Sequence, residues 1–416
     1  MDTSDTLRRL SKGRLSKVGA LTVSVLVFAA CAAPGDSTTT DSSGAPAANV
    51  PTTTVAPIVS PALLDAGTYP TAPRPPLGNA ADPRTGAITD AQHLADFVVG
   101  PWEADEALVT PYLATYYLLD SSGSLMQFAP ENVAQQAERH GIVNGFASAR
   151  QATDKTVMMN AVFRFPDPAA ATAAAADMNS GASAQAIRGA TPTPAVIPGH
   201  PEAAASTYPF TPHESDREWT VIRSFAPHGP YVFMQLVQSV DGFDPAAALV
   251  GKAIDVQGPR IDEFRPAPAD ALADVPLDPT GLLAKTLPLA GSAAPTKNAV
   301  YTRRGAVHFQ SNPIASKTLF TDTGVTAVAM ALTNVYEAKS PGLASMVVGS
   351  FSKEVTAQGA APAEPVPALP DSHCSERGKA FYCVAAAGRY AVEVNAESLP
   401  QAHQQMAAQY ILLTAG

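Results

Sequence analysis

The clearest structural signal in the chain is the stretch Thr156-Val-Met-Met-Asn-Ala-Val-Phe-Arg-Phe165, followed by Asp167-Pro168 and an alanine-rich run to Met178. The apolar stretch, bounded by a turn signal, predicts a buried strand. Aspartate followed by proline then begins a helix, because the aspartate oxygen accepts an unpaired N–H and proline has none to leave unpaired. A strand leading directly into a helix is therefore predicted.

The same order of elements occurs twice. In the first half, the strand and helix are followed by a hairpin (residues 219–225 and 231–240) and by a helix at 246–254 that Asp244-Pro245 begins. In the second half, the corresponding segments are a strand at 324–336, a helix from Ser340-Pro341 to 352, a hairpin at 380–386 and 389–394, and a helix at 399–413. Each half is thus a β-α-β-β-α unit, which predicts an internal duplication.

An additional strand is predicted before each unit, at residues 141–149 and 305–310. The fold class that follows is α+β, with two tandem related domains. Each is expected to be an antiparallel sheet with helices on one face, in a ferredoxin-like arrangement. The N-terminal domain spans 64–256 and the C-terminal domain 289–416, and a proline-rich connection at 257–288 joins them.

The N-terminus has the layout of an export signal. Five basic residues precede thirteen uncharged residues, 18–30, which end in small side chains before Cys31. This apolar run is shorter than the roughly 20 residues that a membrane-spanning helix needs. We therefore interpret residues 1–30 as a signal peptide. The pair Arg8-Arg9 leaves twin-arginine export open as an alternative to the general route.

The tetrapeptide Phe28-Ala-Ala-Cys31 is similar to a lipobox, in which the cysteine is lipidated and the chain is cut before it, although Phe28 replaces the usual aliphatic residue. The prediction is an extracytoplasmic protein held at the cell membrane by an acyl group on Cys31. The alternative is cleavage after Ala32 and secretion of a free protein. Residues 31–63 form a predicted disordered linker, because 24 of the 29 residues from 32 to 60 are Ala, Ser, Thr, Pro, Gly or Asp.

The charge of the exported chain argues against nucleic acid as a partner. Removing residues 1–30 leaves 22 Lys plus Arg and 35 Asp plus Glu, and phosphate binding needs clustered basic residues. No cofactor motif is found, so no cofactor is predicted. The predicted partners are the membrane, through the acyl anchor, and an envelope protein or a small apolar ligand.

Two further cysteines, Cys374 and Cys383, lie close together in the sequence. In an oxidising compartment this pair predicts a disulfide. A metal site is the alternative, but the spacing matches no zinc motif and only His373 lies adjacent. The prediction is therefore a structural disulfide and no bound metal.

The segment most similar to a site contains several histidines and carboxylates in one loop and the next turn: His200, His213, Glu214, Asp216 and His228. A metal or acid–base site can be built from such residues. The alternative is that they are solvated loop residues. A second group of aromatic side chains suggests either a groove for a ring-bearing ligand or core packing: Trp102, Tyr112, Tyr116 and Tyr117.

Three segments carry a family resemblance: residues 64–74, 163–177 and 277–288. They resemble a family of actinobacterial cell-envelope lipoproteins with a duplicated domain of unknown function. The resemblance covers nearly all of the chain after the signal peptide. It implies the same location and the same division into two domains, and it supplies no catalytic residues.

The sequence therefore predicts a lipid-anchored envelope lipoprotein that acts by binding and not by catalysis, because small duplicated α+β domains without a catalytic motif more often bind. The alternative is a hydrolase that acts on an envelope substrate. An enzyme requires a concave pocket with converging titratable groups near the candidate histidines, whereas a binding protein requires a cleft or an exposed patch.

Overall fold

The structure is a computed structural model that describes residues 59–212, 216–290 and 294–414. The predicted signal peptide, Cys31 and most of the predicted linker 31–63 lie outside the described residues. Within the described residues, the chain forms two antiparallel sheets of seven strands, one in each half.

The first half contains five helices and seven strands within the described residues. The strands are β1 Thr110–Leu119, β2 Asn144–Ala152, β3 Thr156–Arg164, β4 Thr193–Ala195, β5 Ala204–Phe210, β6 Trp219–His228 and β7 Tyr231–Ser239. The helices are α1 Pro83–Leu94, α2 Pro101–Ala104, α3 Glu131–Arg139, α4 Pro168–Ser183 and α5 Phe243–Ile261.

The described residues of the second half contain four helices and seven strands. The strands are β8 Ala299–Thr302, β9 Ala327–Met330, β10 Thr333–Glu337, β11 Ala361–Ala363, β12 His373–Arg377, β13 Ala380–Ala387 and β14 Tyr390–Ala396. The helices are α6 Arg303–Ala306, α7 Pro313–Asp322, α8 Pro341–Ala357 and α9 Leu399–Thr414. Short 3-10 turns, including Val307–Phe309, connect several of these elements.

The two sheets have the same strand order. The first runs β1-β2-β3-β7-β6-β5-β4, and the second, taken from the corresponding edge, runs β8-β9-β10-β14-β13-β12-β11. Each strand of one half thus has its counterpart at the same sheet position in the other. The predicted duplication and the α+β class of two antiparallel sheets are confirmed.

The central strand and helix were predicted correctly. β3 occupies Thr156–Arg164 and pairs with β2 and β7 along its whole length, with all nine residues buried. α4 begins at Pro168 after Asp167, whose carboxylate accepts a hydrogen bond from the amide of Ala170 at 2.8 Å. Ser340 caps α8 in the same way, through the amide of Leu343 at 3.4 Å.

Three predicted segments differ from the structure. Of residues 305–310, predicted as a strand, 305–309 are helical, because Thr302 caps α6 and a 3-10 turn follows. Residues 324–336, predicted as one strand, contain a hairpin of β9 and β10 that turns at 331–332. α5 continues to Ile261, past the predicted end at 254, with Pro259 in its last turns.

The helices cover both faces of each sheet, not one face as in the expected ferredoxin-like arrangement. Successive residues of a strand point to opposite faces, so Met234 of β7 packs with α4, whereas Phe233 packs with α5. In the second half, α8 and α9 divide between the faces in the same manner.

One core is shared by both halves. We call it the seam; it includes Trp102, Phe146 and Val250 of the first half and Tyr301, Val307 and Val347 of the second. α5 of the first half and α8 of the second contribute to the seam, whereas α4 and α9 pack in separate clusters on the other faces. The two halves are therefore packed into one body and do not act as independent domains on a linker.

Each sheet ends on one side in a three-residue strand with proline at its centre. Pro194 of β4 lies opposite Ser206 of β5, and Pro362 of β11 lies opposite Ser375 of β12. Proline has no N–H for a strand ladder, which is why it is confined to edges such as these. The duplication thus extends to single residues at the sheet edge.

Candidate functional site

The segment after α6 inserts from the second half into the first. The imidazole of His308 lies 5.1 Å, between ring centroids, from both Trp102 and Phe146. The ring of Phe309 packs at 4.6 Å from that of Tyr116. These contacts place two rings of the second half inside the aromatic core of the first.

His308 is an uncharged group in this core. It is 1% exposed, and its Nε2 lies 3.1 Å from the carbonyl oxygen of Val98, to which it donates. Burial lowers the pKa of His308 to about 4, since desolvation disfavours the imidazolium. His308 is thus neutral at pH 7, and its Nδ1 has no hydrogen-bond partner within the described residues.

Arg150, on β2, holds the inserted segment from the other side. Its buried guanidinium donates to four carbonyl oxygens: Val109 at 3.1 Å, His308 at 2.9 Å, Gln310 at 2.7 Å and Ser311 at 3.3 Å. Three of the four belong to the second half. Burial lowers the pKa of Arg150 to about 10, which still leaves the side chain charged at neutral pH.

Asp96 makes the reciprocal contact, from a first-half carboxylate to second-half donors. Its Oδ1 accepts from the amide of Thr302 at 3.1 Å, the hydroxyl of Thr302 at 2.8 Å and the amide of Gly305 at 2.8 Å. A Cβ on Gly305 would lie 2.2 Å from this oxygen, so only glycine fits there. Burial raises the pKa of Asp96 to about 6, although these hydrogen bonds act in the opposite direction.

A cleft of ≈ 520 Å³ lies beside Asp96, between the two halves. Arg304 and Glu263 form an ion pair at 3.0 Å across it, and Arg303 is exposed on the same side as Arg304. The cleft is lined by Asp96, Phe97 and Glu263 from the first half and by Thr302, Arg303, Arg304, Gly324, Val325 and Thr326 from the second. We call it the seam cleft. It presents cationic, anionic and hydroxyl groups within one concave surface.

A second, smaller cleft of ≈ 380 Å³ also lies between the halves. It is lined by Trp102, Glu103, Ala104, Glu106, Lys252 and Val256 from the first half and by Ile314 and Lys317 from the second. Glu103 is paired with Arg260 at 2.9 Å beside it. Neither cleft is lined by His200 or His228.

Two of the predicted site histidines lie against α5. His200 contacts Glu202 through Nδ1 at 3.1 Å and Asp255 through Nε2 at 3.2 Å. His228 contacts Asp262 through Nε2 at 2.7 Å. His213 and Glu214 lie outside the described residues, and Asp216 is exposed.

The two pairs follow one pattern. His200 lies over Gly251 and His228 over Gly258, each four residues before the aspartate that the ring contacts. Residues four apart lie on the same helix face, so a glycine gives the ring room and the aspartate one turn later binds it. His200 and His228 therefore lie at separate positions along α5. Sequence reasoning missed Asp255 and Asp262, the aspartates that they contact.

The aromatic candidates mostly pack in cores, as the alternative prediction held. Trp102 is 4% exposed and Tyr117 is 5% exposed. Tyr116 is half-buried against the seam, and Tyr112 is half-buried against the core on the other face of the first sheet. Trp102 also lines the smaller cleft.

The predicted disulfide between Cys374 and Cys383 is confirmed. The two residues are direct partners on β12 and β13. A ring nitrogen of His403, on α9, lies within 4.8 Å of both sulfurs, and Nε2 of this histidine donates to the carbonyl oxygen of Glu364 at 2.9 Å. Cys374, Cys383 and His403 thus gather the donor types that zinc prefers, but as a disulfide the cysteines provide no thiolate ligands.

No helix in the described part of the chain is long and apolar enough to cross a membrane.

The family of the chain follows from two matches to family models. Residues 77–277 match "Domain of unknown function (DUF7373) N-terminal", and residues 282–416 match "Domain of unknown function (DUF7373) C-terminal". The chain belongs to the DUF7373 family. The two DUF7373 models correspond to the two seven-stranded sheets, since the first match contains β1 to β7 and the second contains β8 to β14.

A solved structure similar to part of this DUF7373 chain is the "extracellular domain of PknH from Mycobacterium tuberculosis". The identity is 11% and the TM-score is 0.28, and the match covers 39% of this chain and 92% of that one. No curated protein matches the chain in sequence.

Proposed function

We propose that this DUF7373 protein is an actinobacterial-type envelope lipoprotein, anchored through Cys31, that binds a polar ligand in the seam cleft without catalysing a reaction. The single observation that carries the binding proposal is the seam cleft, to which both halves contribute charged groups. Clefts where two structural units meet are common positions for ligand sites.

The anchor is supported by the signal-like N-terminus, the lipobox-like tetrapeptide and the linker composition. The disulfide between Cys374 and Cys383 adds support, because such bonds persist in oxidising compartments. The acyl group would supply the membrane attachment, since an acidic protein is repelled by an anionic membrane surface.

The anchor is tested by intact mass measurement and cell fractionation of the native protein, with Cys31→Ser as the control. The expected result is a chain that begins at residue 31, carries a lipid and sediments with the membrane, whereas the control is unlipidated. An unmodified wild-type chain recovered from the culture medium would instead establish the secreted alternative.

The ligand class is supported by the chemistry of the seam cleft. The side chain of Arg303 is exposed and forms no hydrogen bond or ion pair within the described residues, whereas that of neighbouring Arg304 is paired with Glu263. A guanidinium at a concave surface favours a ligand with a carboxylate or phosphate group. Thr302 and Thr326 add hydroxyl groups to the lining. This lining suits a polar, anion-bearing ligand better than the small apolar one suggested by the sequence.

The binding proposal is tested by hydrogen exchange of the backbone at residues 302–306 and 324–326. The protein is compared with and without a low-molecular-weight extract of its own cell envelope. We expect slower exchange in these segments for the wild type, no such change for Arg303→Glu, and a normal response for Arg84→Glu, which reverses an arginine that is 80% exposed elsewhere. Identical exchange in the presence and absence of the extract would refute binding at the seam cleft.

A second candidate function is hydrolysis of an envelope substrate. The half-exposed ring of His228, held by Asp262 at 2.7 Å, has the arrangement of an oriented general base and supports this candidate. Hydrolysis of chromogenic esters and amides by the wild type, abolished in His228→Ala and retained in His93→Ala, would favour the enzyme over the binding protein.

A further inference from the structure

Arg223 occupies an unusual position on the outer face of the first sheet, away from the seam. It lies on β6 between Ser206 of β5 and Leu236 of β7. Ile222 and Ala226, on the opposite face of β6, pack into the seam. Val221 and Phe225 share the face of Arg223 and pack in the outer cluster beneath α4. The residue is 5% exposed.

The guanidinium of Arg223 forms no hydrogen bond or ion pair within the described residues, and its Nε and Nη1 are buried without a partner. Two other buried arginines of the same half do have hydrogen-bond acceptors. Arg150 donates to four carbonyl oxygens, and Arg164 donates to Asp90 at 2.7 Å. Burying an unpaired charge costs several kcal/mol. Arg223 therefore lacks both the carbonyl acceptors that Arg150 has and the carboxylate that Arg164 has.

The polar side chains that β5 places beside Arg223 carry hydroxyl groups, not carboxylates. Tyr208 lies on the same face of β5, diagonally across from Arg223, and is 8% exposed. Its hydroxyl has no hydrogen bond within the described residues. Burial raises the pKa of Tyr208, and the nearby positive charge of Arg223 opposes that rise. A guanidinium next to a free phenol, with no carboxylate in contact, has the chemistry of an anion site.

We propose that Arg223 and the hydroxyl of Tyr208 bind a small monovalent anion, of the size of chloride or nitrate, on the outer face of the first sheet. The ligand is small because Arg223 is only 5% exposed. The anion supplies the missing counter-charge and accepts hydrogen bonds from both side chains. The site is separate from the seam cleft, so its failure leaves the proposed ligand site untouched.

The test compares thermal unfolding of the full chain in sodium chloride and in sodium gluconate at equal ionic strength. Gluconate is too large for the site and controls for charge screening. An anion that binds only the folded protein raises the unfolding midpoint with the logarithm of its concentration. We expect this rise in chloride and in nitrate, but not in gluconate.

Three variants locate the effect. Arg223→Met removes the chloride-dependent rise, Tyr208→Phe reduces it, and Arg84→Met, a distant exposed arginine, retains it. An equal rise in chloride and gluconate for the wild type, or an undiminished chloride effect in Arg223→Met, overturns the proposal. Should Arg223→Met fail to fold, a bromide-soaked crystal of the wild type decides instead: an anomalous peak in contact with the Arg223 guanidinium supports the site, and its absence overturns it.

Discussion

The two halves of this chain share a strand order but use different means of stabilisation. The first half buries charged and polar side chains along the seam, such as Arg150 and Asp96. The second half buries His308 there and also carries the disulfide between Cys374 and Cys383, on the face away from the seam. The two halves therefore share a topology but use different faces for their contact, because α5 and α8, which both contribute to the seam, are not equivalent helices.

Among the changes considered, removal of Arg150 should have the largest effect on stability. Arg150→Met leaves buried carbonyls of both halves without donors, and we expect a loss of about 3–5 kcal/mol in the free energy of unfolding. Urea denaturation followed by circular dichroism measures it. The matched control is Arg223→Met, measured in gluconate, which removes a buried arginine with no partners and should be neutral or stabilising. Equal losses in the two variants would contradict the role assigned to the carbonyl contacts.

The pH dependence of stability separates the contribution of Asp96, in the first half, from that of His308, in the second. Asp96 has its folded pKa raised from 3.8 to about 6, so it binds a proton in the folded state that the unfolded state releases, and stability falls as pH rises through this window. His308 has its folded pKa lowered from 6.5 to about 4, so its contribution to stability rises with pH. Between pH 4 and 6 the two slopes oppose each other.

A variant of Asp96 or of His308 should therefore remove one of the two contributions to the slope of unfolding free energy against pH. Relative to wild type, Asp96→Asn should gain a slope of about +1.4 kcal/mol per pH unit between pH 4 and 6, and His308→Gln should gain a slope of similar size and opposite sign. Urea midpoints at pH 4, 5 and 6 provide the measurement. Parallel pH profiles for the two variants would show that burial does not set these pKa values.

Loss of the disulfide should have a smaller effect, confined to the second half. Replacing Cys374 and Cys383 with serine should lower the free energy of unfolding by about 2–3 kcal/mol, since the loop that the bond closes is short. Thermal unfolding of the double variant, compared with wild type in the presence of a phosphine reductant, measures it. Reduced wild type and the variant should agree, and a variant as stable as the oxidised protein would argue against a structural role.

The smallest expected difference concerns the equivalent helices α4 and α8. Asp167→Ala and Ser340→Ala each remove a helix cap and should each cost about 1 kcal/mol. The loss should be larger for Asp167, whose oxygen lies 2.8 Å from its amide donor, than for Ser340 at 3.4 Å. Denaturation midpoints of the two variants give the comparison, with Asp167→Asn as a capping control that should stay near wild type.

Local signals predicted much of the fold. The buried run of β3 and the helix starts at Asp167-Pro168 and Ser340-Pro341 depend on neighbouring residues, so the sequence alone locates them. The start predicted at Asp244-Pro245 was wrong in detail, because α5 begins at Phe243 after Gly242 and Asp244 does not cap it. The turn between β9 and β10 escaped prediction because Ala331-Leu332 carries none of the usual turn residues. The alternation in 305–310 was too short to separate a strand from a helical turn.

The seam and its cleft were not predictable in this way. Arg150 stands in a strand where an arginine ordinarily faces solvent, and its acceptors at 308–311 lie some 160 positions later in the chain. The donors to Asp96, on Thr302 and Gly305, lie 206 and 209 positions later in the chain. Histidine content marked His200 and His228 as candidates, but their partners on α5 are set by the packing of the helix against the sheet.

The proline-centred strands β4 and β11 have a consequence for molecules that meet one another. An open sheet invites a strand from a neighbour, which is the usual route to aggregation of β proteins. Pro194 and Pro362 each withhold one of the N–H groups that an incoming strand would need. Because the unit is duplicated, the chain has two such open sheet edges. Each edge carries its own proline, which hinders the addition of a strand from another molecule.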